Sequence, residues 1–420
     1  MRTSSLLITT RKIVGPGPGP NVIGNRFRFT LAETVQVVSV RGGFQFALTR
    51  PNRYRPVMPR SRQPRRQATL ASLAAELKVS RTTVSNAYNR PDQLSAELRE
   101  RVLQAAKRRG YPGPDPVARS LRTRRAGAVG LLLTEALSYS FRDPAAMSFL
   151  AGLAESCEAA GQGLLLVPAG PGRDDADAAA VVQQAGVDGF VVYSVADDDP
   201  YLAAVRERHL PTVICDQPRE MSGASLVGID DRGAMRKVAD YLITLGHVEI
   251  GVLCMRLGRD RADGVVQGER LHAPNFHVQR ERIAGVRDAM SDAGLDPSSL
   301  TVVERFEHTA QSGHSAAAQA FAVNPKITAL VCTTDVLALG ALDWARCEGL
   351  DVPGRVSITG FDGIEEALRE GLTTVRQPQE DKGRRAGALL MSGSDSGVTT
   401  VEMLETELVR GHTAASPPEP

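Results

Sequence analysis

From about residue 128 onward, short apolar runs alternate with amphipathic stretches of helical period, a pattern that few folds tolerate. The runs fall at 129–133, 164–167, 189–193, 212–215, 250–254, 329–332 and 357–359; helical stretches at 147–160, 233–245, 279–293, 312–323 and 337–348 separate them. A strand that is apolar throughout is buried on both faces, as in parallel sheets covered by helices. About ten strands over roughly 290 residues favour two such sheets over one. The expected fold is therefore α/β, built as two parallel α/β subdomains over residues 126–412.

The charges are divided unevenly along the chain. Residues 1–125 hold 25 Lys/Arg against 6 Asp/Glu, a net of +19, whereas residues 126–420 hold 25 against 42, a net of −17. A basic front on an acidic body confines any nucleic-acid contact to the N-terminal part. A basic tail on an unrelated enzyme would carry the same signature. Cys157, Cys215, Cys254, Cys332 and Cys347 form no C-x-x-C pair and read as reduced residues of a cytosolic protein. No run approaches the roughly 18 apolar residues of a membrane helix, so no membrane partner is expected. Leu6-Leu7-Ile8 is too short for a secretory core.

Residues 1–66 hold 13 Lys/Arg, the single acid Glu33 and a Gly-Pro run from Gly15 to Pro20. This basic extension is expected to be mostly disordered. Met58 stands just ahead of the basic stretch 59–66 and is expected to be the natural start, which an intact-mass measurement tests. The tail 413–420 is rich in Pro, Ser and Ala and is expected to fray.

Between these lies a compact helical pattern. Residues 70–77 place Leu70, Leu73, Ala74 and Leu77 on one face behind Thr69 as N-cap. Residues 81–88 follow Ser80, with Val84 and Ala87 facing inward; residues 96–109 follow Ser95 and end at Gly110 and Pro112. The first two helices, three residues apart, have helix-turn-helix spacing. A fourth short helix can open at Pro116. The domain expected here is 67–114, with a hinge at 115–125.

The wording is more specific than the spacing. Thr69-Leu70-Ala71-Ser72-Leu73-Ala74, Val79-Ser80-Arg81-Thr82-Thr83-Val84-Ser85-Asn86 and Arg109-Gly110-Tyr111-Pro112 closely resemble the headpiece of the LacI/GalR family. Pro116-Val117-Ala118-Arg119-Ser120-Leu121 resembles that family's hinge helix. The resemblance resumes at Val227-Gly228-Ile229-Asp230-Asp231, Leu245-Gly246-His247, Arg282-Ile283-Ala284-Gly285, the stretch from Cys332 to Leu342 and Ser357-Ile358-Thr359-Gly360-Phe361-Asp362. It implies a transcription regulator, most simply a repressor. A three-helix helix-turn-helix headpiece and hinge would precede a periplasmic-binding-protein-like (type I) effector domain.

The resemblance also implies roles. Arg81, Thr82 and Asn86 match the base readers of the major groove, where Arg pairs with guanine and Asn with adenine. Thr83 and Ser85 are expected on phosphate. Lys78 departs from the small turn residue usual in the family and can reach a phosphate instead. Leu121, beside Arg119, matches a leucine wedged into the minor groove by two copies of the hinge. The implied partners are double-stranded DNA with a palindromic operator, a second copy of the chain (a tetramer being the alternative), and a small effector.

For the effector, Asp216, Arg282 and Asp335 match contact positions, and the loop after Leu133 carries Tyr139, Phe141 and Asp143. Carboxylates accepting hydroxyls, a donating arginine and an aromatic ring suit a sugar or related polyol. An N-cap role is the rival for Asp335. The long stretch 256–278 reads as a solvated loop or a lid. Its histidines lack metal-helix spacing, and the chain has no P-loop, G-x-G-x-x-G or H-E-x-x-H, so no metal or cofactor is expected. At Gly393-Ser394-Asp395-Ser396-Gly397 an aspartate stands where a nucleophile elbow needs serine, so an enzyme is disfavoured. A secreted solute-binding protein would need a signal peptide and no DNA reader.

Overall fold

The computed structural model describes residues 36–40, 43–47, 68–115, 120, 123–133, 141–168, 175–272, 275–393 and 399–419. The chain divides into two units between Pro112 and Gly113. Within the extension expected to be disordered, β1 (Gln36–Val40) and β2 (Gly43–Ala47) pair antiparallel. The Val and Phe residues of this stretch favour extended backbone. Met58 lies outside the described residues.

Caps determine where the helices of the first unit begin. α1 (Leu70–Leu77) starts in a reciprocal box: the Thr69 hydroxyl accepts from the Ser72 N–H at 3.2 Å, and the Ser72 hydroxyl from the Thr69 N–H at 2.9 Å. Ser80 caps α2 (Arg81–Asn89) and Ser95 caps α3 (Ala96–Arg109), each hydroxyl accepting from the N–H three residues on. Gly110 closes α3 in the left-handed region at φ 64°. Lys78 closes α1 there too, at φ 52°, which costs a residue with a Cβ about 1 kcal/mol. Leu73, Val84, Val102 and Ala105 are fully shielded and form a small core with Ala74, Ala87 and Ala106.

The second unit contains two sheets. The first runs β14-β7-β6-β5-β3-β4 and is parallel throughout. Its strands are β3 (Ala128–Leu133), β4 (Gly163–Pro168), β5 (Gly189–Tyr193), β6 (Thr212–Cys215), β7 (Ser225–Ile229) and β14 (Val401–Leu404). The second runs β15-β13-β12-β11-β8-β10-β9, parallel except for its two edge strands. It comprises β8 (Ile250–Met255), β9 (Gly264–Val265), β10 (Thr301–Arg305), β11 (Ala329–Cys332), β12 (Ser357–Asp362), β13 (Thr373–Arg376) and β15 (Glu407–Val409). The two α/β layers expected from the apolar runs are thus present.

Each sheet is covered on both faces. α4 (Pro144–Ala159) and α13 (Gln379–Gly393) pack together on one face of the first, with α5 (Asp175–Gln184) and α6 (Pro200–Glu207) on the other. On the second, α7 (Asp231–Thr244) pairs with α9 (His277–Asp292), and α10 (Ala310–Val323) with α11 (Asp335–Cys347). Gly313 and Gly340 let α10 and α11 approach backbone to backbone; a Cβ at Gly340 would overlap the Ala310 carbonyl. Short α8 (Glu269–His272) and α12 (Glu365–Arg369) lie in connections. The chain passes between the sheets three times: after β7, after β13 into α13, and from β14 to β15. Among the described residues no helix is long and apolar enough to cross a membrane.

The tail corrects an expectation. Instead of fraying after Gly411, it docks along the start of β12. The Thr413 hydroxyl donates to the Ile358 carbonyl at 2.6 Å and accepts from the Thr373 N–H at 3.0 Å. The fully buried ring of His247 meets the Ala415 carbonyl at 2.8 Å and the Thr328 hydroxyl at 2.8 Å. Composition pointed to a loose end; the partners that hold it are far away in sequence. Thr413→Ala strands a buried donor and a buried acceptor and should cost about 2 kcal/mol, read as a lower urea midpoint at unchanged slope.

Candidate functional site

In the first unit, Arg81 and Thr82 stand exposed in the first turn of α2. Asn86, one turn on, is half-buried and donates its amide to Gln93 Oε1 at 3.0 Å. Thr83 and Ser85 are turned to local work: the Thr83 hydroxyl meets that of Ser80 at 2.8 Å, and the Ser85 hydroxyl accepts from Asn89 at 3.1 Å. Lys78 is exposed at the turn. Arg119 and Leu121 lie outside the described residues.

In the second unit a cavity opens between the two sheets at the carboxyl ends of their parallel strands, where α/β folds bind ligands. Three non-glycine residues in its lining have positive φ: Ser194 after β5 (54°), Asp216 after β6 (65°) and Asp362 at the end of β12 (126°). Backbone strain gathered in one place is a mark of function.

Of the five residues assigned to the effector, three line this cavity. Asp143 caps α4, its Oδ1 accepting from the Ala145 N–H at 3.0 Å, while Oδ2 faces His308 Nδ1 at 4.0 Å. Asp216 accepts from Lys382 Nζ at 2.8 and 3.0 Å. Arg282 donates from Nε to Asp231 at 2.9 Å and from Nη1 to the Thr333 carbonyl at 2.6 Å, with its guanidinium 3.6 Å from the Phe361 ring centre.

The other two do not. Phe141 is exposed and is not among the lining residues, and Tyr139 lies outside the described residues. Asp335 is fully buried beneath the floor, accepting from the Ile364 N–H at 2.9 Å and the Thr374 hydroxyl at 2.5 Å. Burial raises its carboxyl to about 6 against those hydrogen bonds. Its neighbour Thr334 is the N-cap of α11 and the residue that reaches the cavity.

Sequence reasoning missed much of the lining. Asp362, the last residue of β12, accepts from the Gln377 amide at 2.6 Å and lies 3.7 Å from Arg282; burial raises its carboxyl well above the usual range. Gln377 also accepts from Lys382 Nζ at 2.6 Å, so one polar chain runs Asp216, Lys382, Gln377, Asp362 across the crossover after β13. Gln217 binds the Val278 N–H at 2.7 Å, tying the end of β6 to the start of α9. Position after a strand was the available signal for Asp362; nothing in spacing pointed to the glutamines. The stretch 256–278 holds β9 and α8, and its ends, Arg256 and Val278, line the cavity together with Phe276. A possible set of metal donors, His314, Asp343 and Cys347, sits on α10 and α11, with atoms within 4.8 Å of one another, apart from this lining.

Next to the cavity, burial first and then the Arg219 and Arg280 guanidinium groups push His277 down to about 4. The unfolded chain takes up this proton near pH 6.5 and the folded chain only near 4. The group's contribution is therefore complete above about pH 6.5 and lost as pH falls towards 4. His277→Gln should narrow the drop in melting temperature between pH 7 and pH 5 relative to the parent chain.

Comparison with known proteins agrees with both halves. The model of a periplasmic binding protein-like domain matches residues 239–414. An HTH-type transcriptional regulator of Mycolicibacterium smegmatis is 64% identical over 365 residues, covering 86% of this chain and 100% of that protein. A crystal structure of a LacI-family regulator from Corynebacterium glutamicum aligns with TM-score 0.66 and 43% identity, covering 82% of this chain and 98% of that one. The chain belongs to the LacI/GalR family. It is a helix-turn-helix transcriptional regulator with an effector-binding domain, and its relatives are regulators, not enzymes. A further family member, CelR, is known in complex with cellobiose and aligns at TM-score 0.60 with 26% identity, covering 82% of this chain and 99% of that one.

Proposed function

We propose that this regulator is a cytoplasmic homodimeric repressor of a palindromic operator, whose affinity changes when a sugar or related polyol fills the cavity. The observation that carries the reading is the pairing of a capped helix presenting Arg81 and Thr82 with a cleft of hydrogen-bonding groups at strand ends. Arg81 pairs with a guanine edge, Asn86 with adenine, and Thr82 meets a thymine methyl. Lys78, Thr83, Ser85 and Arg119 contact phosphates, and Leu121 wedges the central base step. Asp143, Asp216 and Arg282 face the ligand. The cellobiose bound by CelR supports a carbohydrate effector.

Footprinting with the full chain upstream of its own and neighbouring genes, with and without candidate sugars, tests the reading. Arg81→Ala should weaken operator binding roughly 10- to 100-fold and leave non-specific binding within a few-fold. Equal loss on random DNA removes Arg81 from base reading.

A further inference from the structure

We propose that His314, Asp343 and Cys347 form a surface zinc site that staples α10 to α11. The three residues stand apart from the lining of the ligand cavity, and the proposal is independent of the effector role given to that cavity.

Two helices bring the donors together. Asp343 and Cys347 lie four residues apart on α11 and so share one face, with Gly340 a turn before them. At Gly340 the helix backbones close on each other: a Cβ there would overlap the Ala310 carbonyl and crowd the His314 nitrogen of α10. His314, next in sequence to Gly313, is thereby pressed towards the Asp343–Cys347 turn. Its Nδ1 lies 3.0 Å from Asp343 Oδ2, and donor atoms of the three residues all lie within 4.8 Å of one another. Ala316, Ala317, Ala341 and Ala345, fully buried on the same two helices, fix that spacing from below. Asp343 and Cys347 are exposed and His314 is half-buried, so an ion reaches them directly from solvent.

The donor set selects the ion. Tetrahedral zinc, with bonds of about 2.0–2.3 Å, holds neighbouring donors roughly 3.3–3.6 Å apart. The His314–Asp343 pair is already near that separation, and side-chain rotation brings in the thiol. An imidazole nitrogen, a carboxylate oxygen and a thiolate suit zinc, whereas magnesium and calcium require oxygen. Three protein donors leave the fourth position to water. On binding, the Cys347 thiol releases its proton to solvent, and the imidazole hydrogen moves from Nδ1 to Nε2 as Nδ1 turns its lone pair to the metal. No cation competes for the carboxylate: among the described residues the one ion-pair partner of Asp343 is His314, and neighbouring Arg346 turns to Glu370 at 3.5 Å. Cys347 is also the one exposed thiol of the five; the other four are buried. The rival is a plain His–Asp pair beside an unrelated thiol, which gives the sulfur no part in metal binding.

Titration of the full chain, free of any affinity tag, with cobalt and zinc tests this. One cobalt ion per chain should bind with a near-ultraviolet thiolate-to-metal band and the visible bands of a tetrahedral centre, and zinc should displace it. Zinc should raise the melting temperature, as a ligand of the folded state does, while magnesium and calcium leave it unchanged. Cys347→Ser should remove the thiolate band and weaken zinc at least ten-fold; His314→Gln and Asp343→Asn should each weaken it as much. A further reading needs no variant: zinc should slow alkylation of Cys347 by iodoacetamide at least ten-fold. A cobalt spectrum without the thiolate band overturns the site, as does zinc affinity equal in the parent and all three variants, or alkylation at the same rate with and without zinc.

Discussion

Leu73→Ala should abolish operator binding while the ligand cavity keeps working. Leu73 is completely shielded at the centre of a core of seven residues shared by three helices. Removing its side chain costs about 2–5 kcal/mol. A helical unit this small holds only a few kcal/mol in total, so the change is enough to unfold it. A gel shift should lose the specific complex by at least a hundred-fold, and helical circular dichroism should fall by the share of α1 to α3. Calorimetric titration of the effector should be unchanged, because that cavity is built within a separate unit. Operator affinity within three-fold of the parent would mean that α2 needs no such core to read DNA.

Lys382→Met should be the most damaging single change in the second unit. The ammonium is wholly shielded and is bound by both oxygens of Asp216 and by Gln377. Methionine fills similar space but leaves the Asp216 carboxylate buried and unpaired, a situation that costs about 3–5 kcal/mol. The urea midpoint should fall accordingly. Adding Asp216→Asn should recover most of the loss. Asparagine removes the orphaned charge and, unlike most residues, tolerates the positive φ found there. A double variant no more stable than Lys382→Met would place the damage in packing and not in charge.

The legible parts of this protein are those where the physics is local. Thr69, Ser80 and Ser95 cap the expected helices because a hydroxyl and the N–H three residues on are the whole interaction. Largely apolar runs such as 212–215 and 329–332 became strands with the expected limits, since burial on both faces leaves little room for polar side chains. The runs at 373–376 and 401–404 were passed over: one is Thr-Thr-Val-Arg and the other is a half-exposed edge, so neither carries that signature. Asp335 and Asp362 both follow or end an apolar run. Which carboxyl lines the cavity depends on backbone angles at Asp362 and on Thr374, which holds Asp335 out of the lining. That choice is settled by partners brought together in three dimensions, as is the anchoring of Thr413.

The last stretch of chain contributes a strand to each lobe, β14 to one and β15 to the other, before the tail is fastened to β12. Neither lobe can therefore be finished during translation until nearly all of the polypeptide has left the ribosome. A product that stops near residue 400 would lack an edge of both layers at once. Nascent chains should acquire protease resistance in one late step, for both lobes together.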